Sequence, residues 1–167
     1  MVTVIMKASP SPNDTKLRAD IAESAVMTQL LKRGFRVLKP MGDRLPYDVA
    51  LDCMGRLVRI QIKSAWYEPA KRLYTVDCRR TKTNRRHMVR QRYQPDDFDF
   101  AVLYIQELER YYIMPVSVFN SYRSGISLVE RDTRQRQPRS VAFRERWDLL
   151  QIENTEQRSR LSENRTG

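Results

Sequence analysis

Cysteine and histidine are nearly missing from this chain of 167 residues: Cys53 and Cys78 lie far apart with no CxxC spacing, and His87 stands alone. A disulfide framework and a structural zinc site both need more ligands than these, so a reducing, cytoplasmic compartment is expected. A hydrolase built on a Ser-His or Cys-His pair would rest on one histidine in a basic loop, which argues against that class. Long apolar runs are missing too. The best, Phe100 to Ile105, covers 6 residues, against roughly 20 for a membrane-spanning helix. Met1 to Met6 is too short for a signal-peptide core, and no small-residue cleavage site follows it. No membrane partner is expected.

What the chain does have is an apolar fraction of 41%, enough for a core in one domain of this length, and charge. Lysine and arginine total 31 against 20 acidic residues, a net charge of +11, which favours a polyanionic partner. From Lys71 to Arg92 nine basic residues face only Asp77, and from Arg131 to Arg146 six arginines face Asp132 and Glu145. Arginine dominates both clusters, and its planar fork suits phosphate oxygens and guanine edges. Neither cluster lies on a helix with a strong apolar face, which disfavours a membrane surface. Arg79, Arg80, Lys82, Arg85, Arg86, Arg90 and Arg92 are the expected DNA contacts. The first five belong to a turn-rich segment with Thr81, Thr83 and Asn84, expected to project from the body.

Residues 1–13 read as a flexible leader, 14–152 as one domain and 153–167 as a polar tail. Asp14 or Thr15 caps a helix that runs to Arg33 and stops at Gly34. Strands are expected over 35–39, 47–53, 57–64, 73–78, 98–106 and 111–114, with a helical turn over 115–120. An amphipathic helix is expected over 140–151. The pattern is that of an α/β domain with a mixed central sheet flanked by helices.

On the first helix, a turn of about 100° per residue brings Ala19, Val26, Met27 and Leu30 within about 60° of Glu23. A carboxylate centred in an apolar stripe needs a cation, a hydrogen-bond network or a raised pKa. The strands at 47–53 and 57–64 are joined by Met54-Gly55. Both a two-residue and a four-residue loop pair Cys53 with Arg56 and Asp48 with Gln61, and methionine's reluctance to adopt positive φ favours the longer loop. Val49, Ile60, Leu51 and Val58 then share an apolar face, while Asp48, Gln61 and Lys63 share the opposite one. If the helix packs on that second face, Glu23 joins them. Two carboxylates and an amide oxygen are hard ligands suited to Mg²⁺, and the set reads as metal-assisted phosphodiester hydrolysis.

Glu23, then Pro46-Tyr47-Asp48, then Gln61-Ile62-Lys63 after a hairpin resembles the PD-(D/E)XK nuclease superfamily, whose domain is restriction-endonuclease-like. Within it, several segments are similar to group I intron-associated homing endonucleases. They are Leu31-Lys32-Arg33-Gly34-Phe35-Arg36-Val37 with Pro40 and Gly42-Asp43, Arg59-Ile60-Gln61-Ile62-Lys63, Phe98 to Val102, Tyr112-Ile113-Met114-Pro115 and Arg146-Trp147-Asp148. The likeness spans roughly residues 15–150. It implies a site-specific, Mg²⁺-dependent endonuclease of double-stranded DNA, with Glu23, Asp48 and Gln61 around the metal and Lys63 beside the nucleophile. Gln61 stands where many relatives carry Asp or Glu, a feature that resembles the intron-associated branch. The resemblance also implies assembly as a homodimer or homotetramer.

Two other functions fit part of the pattern. A Holliday-junction resolvase shares the fold and the four residues but reads branched shape, so cleavage of junctions against linear duplex separates it. A non-catalytic nucleic-acid-binding protein keeps the arginines but has no use for the acidic residues, and metal-dependent nicking of plasmid separates that one.

Overall fold

Asp14 caps the first helix, α1 (Thr15–Lys32), by accepting a hydrogen bond from Leu17 N at 2.9 Å. The chain leaves it through Arg33 into Gly34 at φ +82°, a conformation that a Cβ disfavours. The computed structural model describes residues 14–83, 88–131 and 137–151, with all their side chains except those at 81–83, 88 and 89. The expected leader, the expected tail, and Arg85, Arg86 and His87 lie outside the described residues, as does the side chain of Lys82.

After α1 come β1 (Val37–Leu38), β2 (Val49–Cys53), β3 (Arg56–Ser64), β4 (Trp66–Glu68), β5 (Leu73–Asp77), β6 (Arg79–Thr83) and β7 (Met88–Arg92). Then follow β8 (Phe100–Ile105), β9 (Arg110–Pro115), α2 (Val116–Asn120) and β10 (Gly125–Leu128). A five-stranded sheet runs in the order β1-β2-β3-β8-β9, antiparallel except where β3 pairs β8, so the sheet is mixed. The crossover from β3 to β8 carries two smaller assemblies, the hairpin β6-β7 and strands β4 and β5, which β10 joins in a three-stranded sheet.

Both faces of the central sheet are covered. Along β8, Val102 and Tyr104 join the cluster under α1, while Ala101, Leu103 and Ile105 join the cluster under Phe98, Phe119 and Leu128. This is the period of two expected for a strand buried on both sides. Each fully buried aliphatic side chain contributes about 1.5–3 kcal/mol, so the two clusters together fix the sheet between its layers.

The β2–β3 register is as expected from the alternation, with Val49 opposite Ile60, Leu51 opposite Val58 and Cys53 opposite Arg56. The connection, however, is the two-residue one. Met54 adopts φ +53° and Gly55 φ +89°, and Asp52 Oδ1 accepts from Gly55 N at 3.3 Å. A full ladder on both strands outweighs the roughly 1–2 kcal/mol that a left-handed methionine costs.

Three other expectations are corrected. The segment 140–151 is two 3₁₀ turns, Arg139–Phe143 and Trp147–Leu150, not one helix. Glu145 lies between them at φ +54°. Its backbone N donates to Tyr111 O at 2.8 Å, while its carboxylate accepts from Tyr111 N and from Trp147 Nε1. Docking on the edge of β9 thus wins over helical periodicity. The polar stretch after Cys78 contains the hairpin β6-β7, and β4 and β10 are further strands absent from the sequence reading.

The stripe of α1 is the third. Its buried residues are Ala22, Val26 and Leu30, with Ile21, Ala25 and Met27 packed beside them. Ala19 is exposed, and Glu23 borders the stripe instead of centring it. The helix is rolled so that the carboxylate escapes full desolvation.

Candidate active site

The face that α1 covers is the apolar one, Val49, Leu51, Val58, Ile60 and Ile62. The expectation that α1 packs on the face of Asp48, Gln61 and Lys63 is therefore overturned. These five β-branched or leucine positions offer the helix far more apolar area than a polar triad does. Glu23 still approaches Asp48, because Asp48 precedes the first residue of β2 and lies at the sheet's margin. There the charge of Glu23 helps to raise the Asp48 pKa.

Asp48 and Gln61 form a tight unit. Asp48 Oδ2 accepts from Gln61 Nε2 and from Ile62 N, both at 2.6 Å, and Asp48 N donates to Ile60 O at 2.9 Å. Burial pushes the Asp48 carboxyl up to about 6, opposed by the Ile62 hydrogen bond, reinforced by Glu23, and opposed again by Lys63 and Lys39. Among the described residues the buried polar or charged ones are Gln61 and Ser140, at 8% and 1% exposure. Gln61 donates its second amide hydrogen to Ile62 O at 3.2 Å. Among the described residues nothing donates to Asp48 Oδ1 or to Gln61 Oε1, which leaves one oxygen of each for a further ligand.

Lys63 shares this face two residues further along β3. Its Nζ donates to Arg79 O at 3.1 Å and lies 5.1 Å from the centre of the Tyr93 ring. Burial lowers its pKa below the usual lysine range, against the pull of Asp48 and Asp77. The site therefore holds a half-buried ammonium on which the Asp48 carboxylate acts electrostatically.

Glu23 is the outlying member. Its Oε2 accepts from Lys39 Nζ at 2.8 Å, with 28% of the Glu23 side chain and 55% of the Lys39 side chain exposed. The Lys39 ammonium is raised chiefly by this hydrogen bond. Lys39 was not legible in the sequence. It follows a two-residue strand, and only the folding of that strand against β2 delivers it to the site. Tyr93 was missed as well, although a lone aromatic closing a basic run is a weak sign of a buried anchor.

The arginines divide. Arg79 and Arg80 lie on β6, half-buried, and Arg90 and Arg92 lie opposite on β7, exposed. Arg80 Nη2 donates to Leu45 O at 3.3 Å, Arg92 Nη2 to Asn120 O at 2.8 Å, and Arg90 Nη1 stands 4.0 Å from Asp77 Oδ2. Arg79 meets the face of Asp48, Gln61 and Lys63 through its carbonyl, not its guanidinium. Arg59 serves structure. Its fork grips Asp99 through Nε and Nη2 at 3.1 Å each, and its backbone N donates to the same carboxylate at 2.7 Å. This clip sits at the start of the β3–β8 pairing and so holds Gln61 and Lys63 in register.

Hard oxygens, an adjacent ammonium and a basic hairpin on one side of the sheet suit hydrolysis of a phosphodiester in a polyanion. The residues present fit a divalent cation, since Asp48 and Gln61 each keep an oxygen available and Glu23 adds a second negative charge. PD-(D/E)XK nucleases use divalent metal ions.

A family model described as PD-(D/E)XK endonuclease matches residues 13–150. A solved structure, that of a bacterial homing endonuclease, I-Ssp6803I, is 53% identical with a TM-score of 0.77. It covers 83% of this chain and 93% of its own. The crystal structure of MepB is 14% identical with a TM-score of 0.42, over 76% of this chain and 93% of its own. No curated protein matches the sequence.

Proposed function

The chain belongs to the PD-(D/E)XK endonuclease family, and we propose that it cuts double-stranded DNA at specific sites as a Mg²⁺-dependent homing endonuclease. In this reading Glu23, Asp48 and Gln61 hold the cation, and Lys63 stands beside the attacking water and the scissile phosphate. The observation that carries it is the joining of Asp48, Gln61 and Lys63 on one face, with Asp48 hydrogen-bonded to Gln61 at 2.6 Å. A bound cation supplies charge for the phosphate oxygens and a water of lowered pKa. Gln61 orients Asp48 through its amide hydrogen and offers Oε1. Lys63, held by the Arg79 carbonyl, keeps a positive charge where negative charge develops on phosphate.

The hairpin β6-β7 supports DNA as substrate. A two-stranded ribbon fits the major groove of B-DNA, and this one carries Arg79, Arg80, Lys82, Arg90 and Arg92 on its strands, with Arg85 and Arg86 in the segment between them. One site per chain cuts one strand, so a double-strand break calls for a homodimer or homotetramer. A cytoplasmic location goes with this reading, because DNA is met there and the free thiols of Cys53 and Cys78 stay reduced. Among the described residues no helix is long and apolar enough to cross a membrane.

In vitro selection from a randomised duplex pool, cut in Mg²⁺, tests the proposal. A single recovered sequence, uncut when EDTA is present, is the expected result. Cleavage of four-way junctions in preference to every linear duplex would replace it with a resolvase.

A further inference from the structure

Lys39 is a charged group at the proposed site to which the hydrolytic reading gives no task. Its Nζ sits 2.8 Å from Glu23 Oε2, and the charges of Asp48 and Asp20 also act on it. Glu23 is thus the carboxylate in contact with this ammonium, and Asp48 and Asp20 act on it from further away. Its backbone is fixed, because it follows Leu38, which pairs with Ala50 on the sheet edge, while 55% of the side chain is exposed. A long, solvated stem on a fixed root can release its partner at small cost.

We propose that Lys39 is a positioning residue of the reaction: it is the counter-ion that steadies Glu23 beside Asp48 while no divalent cation is bound, and it is exchanged for that cation. The inference rests on the metal reading given above for Glu23, Asp48 and Gln61. Without a positive charge, Glu23 and Asp48 repel one another at the sheet's margin. Lys39 relieves this and keeps the Glu23 carboxylate facing the site. A divalent cation held at this site would do the same more strongly and would repel the ammonium. Lysine and cation therefore compete for one carboxylate, and removing the lysine strengthens cation binding.

The experiment is Mn²⁺ binding to the DNA-free protein, counted by electron paramagnetic resonance into the millimolar range, with Mn²⁺-induced thermal stabilisation as a second readout. The proteins are wild type, Lys39→Met, Lys39→Arg and Asp48→Asn. Expected are binding roughly two- to fivefold tighter in Lys39→Met at unchanged stoichiometry, the factor of an exposed ion pair, and wild-type affinity in Lys39→Arg. The Mn²⁺-induced rise in Tm should be larger in Lys39→Met than in wild type, and Asp48→Asn should lose the site. Unchanged or weaker binding in Lys39→Met, with the site still lost in Asp48→Asn, overturns the role of Lys39 and leaves the metal reading standing. Wild-type binding in Asp48→Asn, or none in wild type, overturns the metal reading and the inference with it.

Discussion

Lys63 Nζ donates to the backbone carbonyl of Arg79 across 3.1 Å, so the ammonium of the proposed site hangs on the first residue of the basic hairpin. Lys63→Met retains most of the stem's packing and deletes the charge. Single-turnover cleavage is expected to fall by about 10²- to 10³-fold, with DNA affinity and melting temperature close to wild type. Lys71→Met is the control: Lys71 pairs with Glu68 at 2.9 Å outside the site, and its replacement should affect binding only. Wild-type cleavage by Lys63→Met would remove the lysine from the reaction.

Arg80 and Arg90 lie on opposite strands of the hairpin. If each meets a phosphate, Arg80→Ala and Arg90→Ala should weaken binding by a similar factor on every duplex and each lower the salt slope by about one. Affinity titrations between 50 and 200 mM salt, the range over which phosphate contacts tell, measure this. A slope unchanged in the double variant excludes the hairpin from the interface.

Glu23→Gln should abolish cleavage while DNA binding persists. The Glu23–Lys39 pair is half-exposed, so its loss costs the metal-free protein no more than about 1 kcal/mol. A melting temperature lowered by several times that equivalent would make Glu23 a structural anchor.

The Arg59–Asp99 clip sets an acid limit. Burial tends to lift the Asp99 carboxyl, but side-chain and backbone hydrogen bonds from Arg59 hold it below its ordinary 3.8. A carboxyl depressed in the folded state contributes stability above its unfolded pKa and loses it as pH falls through the folded value. The clip's contribution is thus present above about pH 4 and disappears below it. Arg59→Met should cost about 1–2 kcal/mol at pH 7 and much less at pH 2.5, by urea unfolding at each pH. Equal losses at both would show the clip to be packing alone.

Glu130 binds three groups: it accepts from the Tyr112 hydroxyl, pairs with Arg144 at 3.2 Å and lies 3.7 Å from Arg110, with only 11% of its side chain exposed. Glu130→Leu should destabilise by about 1–3 kcal/mol, because it leaves the Tyr112 hydroxyl and two half-exposed arginines without their acceptor, and should lower Tm without altering cleavage per folded molecule. An unchanged Tm would mean that water replaces the carboxylate.

The sequence by itself determined what local periodicity can carry. Alternation along 47–53 and 57–64, pinned by Met54-Gly55, placed Asp48, Gln61 and Lys63 on one face in the observed register, since a slip by one residue would turn Val49, Leu51, Val58 and Ile60 out of the core. Asp14 and Gly34 bounded α1, because caps act within one turn. The basic segment was also plain, though not its strands: Arg79–Thr83 and Met88–Arg92 alternate no apolar residues, so only their pairing with each other makes them a hairpin. What the tertiary structure decided was which face α1 covers and what Glu23 meets. Those depend on the apolar area that β2, β3 and β8 offer jointly, and on an edge strand of two residues that carries Lys39 to Glu23, 16 positions away in the chain. Packing across elements compares whole surfaces, and no window along one element contains that comparison.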